Sequence, residues 1–228
     1  MSDAPDTFEA RLAMHAALAE PHRLAICDAL ALSDRSPSEL ATTLGIGSNL
    51  LAHHLQVLEG AGLVEVAPSE GDRRRRYVQL RPAASESAAP PRLVPRSVLF
   101  VCRQNSARSQ FAAALWRRAS TIPVDSAGTQ PAPRVNPEAR RAARRHGLDL
   151  ARAIPQGIEA VRRRPDLLVT VCDEANEELA MDGRLGRLHW SIPDPARRDA
   201  PAEFDRAFEA VEARIGTLLN AASEGRHT

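Results

Sequence analysis

Along the first eighty residues, apolar positions recur every three or four places and then give way to strand-like runs. The helical period covers 7–18, 21–32, 36–44 and 48–60 and predicts four helices. Pro21 and Pro37 stand where a first helical turn accepts proline. Ser36-Pro37-Ser38-Glu39 offers a cap to the third helix, and Gly45-Ile46-Gly47 reads as a tight turn after it. In the fourth helix Leu51, Leu55 and Leu58 fall at i, i+4 and i+7 and must face a core; Asn49, Ala52, His53 and Gln56 then share the opposite face. Residues 63–66 and 74–80 flank Ser69-Glu70-Gly71-Asp72 and predict a hairpin. A short helix, a glycine turn, a second helix and a hairpin describe a helix-rich winged helix-turn-helix domain.

From Pro82 to Arg96 neither period is visible, and the Pro, Ala and Ser content reads as a linker. The expected organisation is a first domain over 1–82, a linker over 83–96 and a second domain over 97–228. In the second, strands are expected at 98–101, 122–125, 166–171 and 186–190. Helices are expected at 108–120, 136–146, 156–163, 174–182 and 202–221. The last sets Phe204, Phe208, Val211, Ile215 and Leu218 on one face. This alternation predicts an α/β doubly wound parallel sheet, with its ligand outside the carboxyl ends of the strands.

Composition narrows the class. The chain has 228 residues, 43% hydrophobic and 26% charged, as in a globular protein. No apolar run approaches the ~18–20 residues of a membrane span. The polar, acidic first residues argue against a secretory signal, and three cysteines argue for a reducing, cytoplasmic setting. There is no lysine; all thirty basic residues are Arg. Residues 1–82 hold eleven acids and eight Arg, and residues 97–228 hold seventeen acids and twenty Arg. A DNA-binding first domain therefore has to concentrate its positive charge locally.

The chemistry gathers after the strand 98–101. Cys102-Arg103-Gln104-Asn105-Ser106-Ala107-Arg108-Ser109 links that strand to a helix. A loop of this kind turns its backbone N–H groups and a helix N-terminus toward a tetrahedral anion. Arg108 can clamp the anion bidentately. The same positive field is expected to lower the Cys102 thiol pKa, giving a thiolate nucleophile at neutral pH. With Ser109 after the Arg, the run resembles the low-molecular-weight protein tyrosine phosphatases and the arsenate reductases built on the same fold. Asp125-Ser126-Ala127-Gly128-Thr129, Val135-Asn136-Pro137 and Asp194-Pro195 agree with that resemblance. It implies Cys102 as nucleophile, Arg108 as oxyanion clamp, Asp194 as general acid, Ser109 as hydrogen-bond donor to the thiolate and Asn105 as a brace. Asp199 is a nearby decoy for Asp194.

The chain departs from that pattern in several ways. Gln104 stands where the family usually has glycine, and Ala107 where many members have a second cysteine. Ala196 follows Pro195 where the tyrosine phosphatases carry aromatics. Tyr77 is the one tyrosine and lies in the other domain, leaving Trp190 as the nearest expected aromatic; this favours a small inorganic oxyanion over phosphotyrosine. Cys172 ends the strand 166–171. In thioredoxin-coupled arsenate reductases a cysteine at this point attacks the arsenic adduct, and another follows seven residues on, where this chain has Leu179. Cys172 as a resolving thiol and Cys172 as an inert thiol both stand. An external thiol or redoxin would complete the cycle, with no bound cofactor.

His53-His54-Leu55-Gln56-Val57-Leu58-Glu59-Gly60-Ala61-Gly62-Leu63-Val64, with Ala19-Glu20-Pro21-His22-Arg23-Leu24, resembles the ArsR/SmtB repressors. The resemblance implies a homodimer formed through the first domain and bound to operator DNA. Ser48, Asn49, His53 and Gln56 are the candidate base readers, although Leu50 and Ala52 replace polar residues common there. Arg73, Arg74, Arg75 and Arg76 are either a wing on the phosphate backbone or a solvated charge run. No metal site is expected: adjacent helical residues point about 100° apart, so His53 and His54 cannot readily share a cation, and His54 reads as packing. Cys27 reads as core. The expected protein is a DNA-binding transcriptional regulator fused to a thiolate-dependent arsenate reductase-like enzyme, linked to arsenic resistance. The alternatives are a phosphatase domain, or an oxyanion-sensing module without turnover.

Overall fold

Ser36 starts the third helix by a reciprocal cap: its hydroxyl accepts from the Glu39 N–H while the Glu39 carboxylate accepts from the Ser36 N–H. Gly45 ends that helix at φ 65°, a left-handed conformation that glycine adopts without strain. This is the turn of a helix-turn-helix. In this computed structural model residues 7–85, 87–179, 186–198 and 200–222 are described. The helices are α1 (Phe8–Leu18), α2 (Pro21–Leu30), α3 (Pro37–Leu44) and α4 (Ser48–Gly60). Strands β1 (Val64–Pro68) and β2 (Arg76–Leu80) pair antiparallel, Val64 opposite Leu80. Leu51, Leu55 and Leu58 join Ile26, Cys27, Leu30, Leu40 and Val78 in one apolar core, as the helical period requires.

Two expectations need correction here. The second hairpin strand begins at Arg76 and not at residue 74, so Arg73, Arg74 and Arg75 belong to the turn, closed by Ser69 N–H donating to Arg75 O at 2.9 Å. The segment after Pro82 is not structureless. It forms a short helix, α5 (Pro82–Ser85), which buries Ala84 in the first core. Farther on, Leu93 bridges to Ala222 in a parallel pair. Small residues carry no periodic apolar signal, which is why this docking was invisible in the sequence.

The chain divides into two compact units. One comprises Met1–Ser69 and Arg73–Pro91, the other Arg92–Thr228 with Glu70–Asp72. The second unit is built on a four-stranded, all-parallel sheet in the order β4, β3, β5, β6. These are β3 (Val98–Cys102), β4 (Val124–Gly128), β5 (Leu167–Thr170) and β6 (Gly186–His189). The helices are α6 (Arg108–Ala119), α7 (Pro137–Arg145), α8 (Asp173–Glu178) and α9 (Pro201–Ala221). Strand β3 is buried along its whole length. Phe100 packs against Trp116 and Trp190, and Phe111 meets Phe208 edge-on at 5.2 Å. The chain after β3 goes to one side of it and later returns on the other. Cys102 therefore ends the strand at the switch point of a doubly wound sheet.

The sequence misjudged three elements here. Strand β4 runs 124–128 and not 122–125, because its buried residues are Ser126, Ala127 and Gly128, too small to register as an apolar run. Residues 156–163 form only a 3-10 turn, Ile158–Ala160. Gln156 and Gly157 are taken up by pairing with β4, where Gly128 N–H donates to Gln156 O at 2.9 Å. Helix α8 stops at Glu178, with Leu179 already extended; residues 180–182 of the expected helix lie outside the described residues.

Candidate active site

Cys102 enters a loop whose carbonyl groups all turn outward. Its own carbonyl accepts from Thr129 N–H, that of Arg103 from Gln130 N–H, that of Gln104 from Ala132 N–H, and that of Ser106 from Asn136 N–H. The Asn105 carbonyl accepts from Gln110 Nε2 at 3.1 Å. Five successive carbonyls are thus held outside, which leaves the loop's peptide N–H groups on the side of the two sulfurs: that of Arg103 meets Cys172 Sγ and that of Asn105 meets Cys102 Sγ. Helix α6 opens at the rim of the loop. Ala107 occupies the N-cap and supplies no side-chain acceptor, so the first-turn N–H groups stay open to a ligand.

The loop turns at Asn105, whose φ of 51° is the one positive value at a non-glycine position among the described residues. That conformation costs about 1–3 kcal/mol, and the side chain is held to match. Asn105 Oδ1 accepts from Gln110 Nε2 at 3.1 Å and from Gln156 N–H at 3.0 Å. Asn105 Nδ2 donates to Ser109 Oγ at 2.8 Å, and Ser109 Oγ lies 3.0 Å from Cys102 Sγ. The Asn105 backbone N–H also donates to Cys102 Sγ, at 3.2 Å. Gly128 closes the cradle from the side. A Cβ there would stand 2.7 Å from Arg103 O and 3.0 Å from Asn105 N, so only glycine fits.

Arg108 is buried, 5% exposed. Its guanidinium donates to Ile192 O at 2.8 Å and pairs with Asp194 Oδ1 at 3.3 Å. Burial works against its charge, but the neighbouring Cys172, Asp194 and Cys102 hold its pKa above the ordinary value. Asp194 is half-buried and caps the 3-10 turn Pro195–Arg197. The Arg103 N–H donates to Cys172 Sγ at 3.2 Å. Burial pushes the Cys172 thiol far up, only partly opposed by Arg108. Cys27 is likewise pushed up, to about 11, by burial and by Asp28.

The structure thus brings Cys102, Arg108, Ser109, Asn105, Asp194 and Cys172 together. Gln104 is exposed, and Arg103 reaches sideways to Gln130 Oε1 at 3.0 Å. Trp190 is 1% exposed and packed on Phe100. Asp199 lies outside the described residues. Sequence reasoning missed Gln110, Gln156 and the Ile192 carbonyl; Gln156 is 51 residues from the side chain it braces, and no local pattern announces that. In the first unit Ser48, Asn49, His53 and Gln56 are exposed on α4, and Arg73, Arg74, Arg75 and Arg76 are exposed beside the hairpin tip. The trio with metal-ligand spacing among the described residues is Glu20, His22 and His54, in the first unit.

A cysteine and a buried arginine flanking an anion cradle, on a doubly wound parallel sheet, define an enzyme of the cysteine-nucleophile phosphatase class. The chain belongs to the low molecular weight phosphotyrosine protein phosphatase family, whose profile matches residues 97–227. A helix-turn-helix domain profile matches residues 18–67. Among relatives, an arsenate reductase of Brevibacillus brevis is 34% identical over 124 residues, covering 53% of this chain and 91% of that protein. An arsenate reductase of Bacillus subtilis is 32% identical over 133 residues, covering 56% and 94%. Among solved structures, the tyrosine phosphatase Wzb from Escherichia coli K30, in complex with sulphate, matches with a TM-score of 0.51 at 24% identity, covering 56% of this chain and 98% of that one. The second unit has that fold and is arsenate reductase-like; no helix among the described residues is long and apolar enough to cross a membrane.

Proposed function

We propose that this chain is a DNA-binding regulator whose second domain reduces arsenate with Cys102 as nucleophile, in the service of arsenic resistance. The domains on this reading are 1–82 and 97–228. The observation that carries it is the pair of donors on Cys102 Sγ, the Ser109 hydroxyl and the Asn105 N–H, beside a buried arginine. Donors and a fixed positive charge stabilise a thiolate over a thiol. The identity to two arsenate reductases over nearly their whole length supports the choice of substrate.

The thiolate attacks arsenic and an As–O bond breaks. Asp194 gives the departing oxygen its proton, and Arg108 with the loop N–H groups neutralises the oxyanion. A thiolate then attacks Cys102 Sγ. The S–As bond breaks, its electron pair stays on arsenic, and arsenic falls from the +5 to the +3 state as arsenite leaves. A disulfide to Cys102 remains, which a second thiol or a redoxin reduces. Cys172, which caps the helix that follows β5, supplies the attacking sulfur after the peptide of Arg103 releases it and exposure restores its acidity. The first domain binds a pseudo-palindromic operator as a dimer. Ser48, Asn49, His53 and Gln56 read bases, while Arg73, Arg74, Arg75 and Arg76 meet phosphates.

The test is turnover by the full-length protein with arsenate and, separately, with an aryl phosphate, each with a small thiol or a redoxin. Arsenite release with arsenate is the expected result. Hydrolysis of the aryl phosphate alone makes the domain a phosphatase. Binding of either anion without turnover makes it a sensor.

A further inference from the structure

His54 is 5% exposed, and both its ring nitrogens lack a hydrogen-bond partner. A buried imidazole left so has lost its hydration with nothing in exchange, and buried polar groups of this kind call for an explanation. Its Nδ1 stands 3.5 Å from Glu20 Oε2 without hydrogen-bond geometry. The His22 ring stacks on it, centroids 5.4 Å apart and planes 18° apart. His22 Nδ1 donates to Glu20 Oε1 at 2.9 Å. One donor atom from each of Glu20, His22 and His54 lies within 4.8 Å of the other two.

We propose that Glu20, His22 and His54 bind a divalent transition cation of the Zn2+ type, joining the start of α2 to α4. Two imidazoles and a carboxylate are a donor set that suits zinc, with water in the fourth position. Bonds of about 2.0–2.2 Å to a tetrahedral ion set donors roughly 3.3–3.5 Å apart. The trio must therefore close by about an ångström. His22, with its side chain 45% exposed, can make that movement. His54 is fixed by the core of α4, and Glu20 is fixed as the N-cap of α2, accepting from Arg23 N–H.

The protonation states fit. Burial works against the Glu20 charge, but the His22 ring and the Arg23 and His22 N–H groups hold its pKa at about 2, so it is ionised at neutral pH. Burial keeps His54 below its usual value, outweighing the attraction of Glu20, so the ring is neutral and one of its nitrogens carries a lone pair for a cation. Coordination through His22 Nδ1 leaves the ring's one proton on Nε2. The nearby Arg23 charge opposes a cation, but Arg23 spends donors on the carbonyls of Ala17 and Ala16.

The test uses the full-length, tag-free protein carrying Cys102→Ser, so that the active-site thiolate offers no competing ligand. Co2+ reports ligand number by its visible ligand-field absorption, and Zn2+ is titrated in competition with it. One equivalent, four-coordinate, is expected. His22→Ala and Glu20→Gln should each weaken Zn2+ binding by at least about 10–100-fold, while His53→Ala leaves it unchanged. Glu20→Gln keeps the cap acceptor, and its circular dichroism should match the parent. Zn2+ should raise the thermal midpoint of the parent and not of the two variants. No binding by the parent, affinity unchanged in both variants, or loss with His53→Ala would each overturn the proposal.

Discussion

Asn105 Nδ2 donates to Ser109 Oγ at 2.8 Å, and Ser109 Oγ in turn lies 3.0 Å from Cys102 Sγ. The amide thus fixes the place of the hydroxyl beside the sulfur.

Ser109→Ala removes one donor to the thiolate. A hydrogen bond to a charged group is worth about 1.5–3 kcal/mol, so kcat should fall roughly 10- to 100-fold. Iodoacetamide alkylation of Cys102 at neutral pH should slow, and saturating arsenate or phosphate should protect the thiol in both proteins. An unchanged kcat would show that the hydroxyl does not support the sulfur.

Gly128→Ala drives a methyl into Arg103 O and Asn105 N. The loop has to shift by several tenths of an ångström or more, and misplacements of that order cost roughly 100-fold in rate. The thermal midpoint of the second unit should change far less than activity. Wild-type kcat in this variant would mean the cradle tolerates a displaced loop.

Cys172 tests the route of reduction. Strands β3 and β5 are neighbours, Cys172 caps the helix that follows β5, and the N–H of Arg103, the residue after Cys102, reaches its sulfur at 3.2 Å; the disulfide needs Cα atoms within about 7 Å. A single turnover without external thiol should leave a Cys102–Cys172 disulfide, detectable by mass spectrometry after alkylation. Cys172→Ser should hold arsenic on Cys102 until a small thiol is added. Equal turnover by Cys172→Ser with that same thiol assigns the attack to the external reductant.

Cys27 predicts an alkaline limb. Its pKa rises from the free-thiol 9.0 to about 11 on folding. The folded state therefore holds a proton that the unfolded state releases, and stability is intact below pH 9 and declines as pH climbs from about 9 to about 11. Cys27→Ala should flatten this decline in urea unfolding curves, while lowering stability at neutral pH through lost packing.

Arg73, Arg74, Arg75 and Arg76 bear on DNA affinity. Changing all four to Gln should weaken binding to every sequence and flatten the dependence of log K on log salt by up to about 4 units. Gel shifts across a salt series read this directly. A slope that does not change removes the wing from the interface.

The helices of the first unit were legible because each carries its own periodicity and cap, Ser36 with Glu39 above all. The loop after β3 was legible because Cys102, Arg108 and Ser109 sit within eight residues. What the sequence concealed depends on distance or smallness. Gln156 reaches Asn105 across 51 positions. Strand β4 buries Ser126, Ala127 and Gly128, too small to stand out as an apolar run. His54 looked like ordinary packing because its missing partners can be counted only once α2 and α4 are set side by side.

The outward-turned carbonyls of 102–106 carry a consequence for selectivity. Each is tied to a segment or side chain outside the anion concavity, so the cradle is pre-organised and no ordering entropy is left for a ligand to supply. Tetrahedral oxyanions of the same charge and nearly the same size are therefore admitted almost alike. On the proposed function phosphate competes for the cradle, and discrimination is deferred past binding to whether the new bond to sulfur can be reduced.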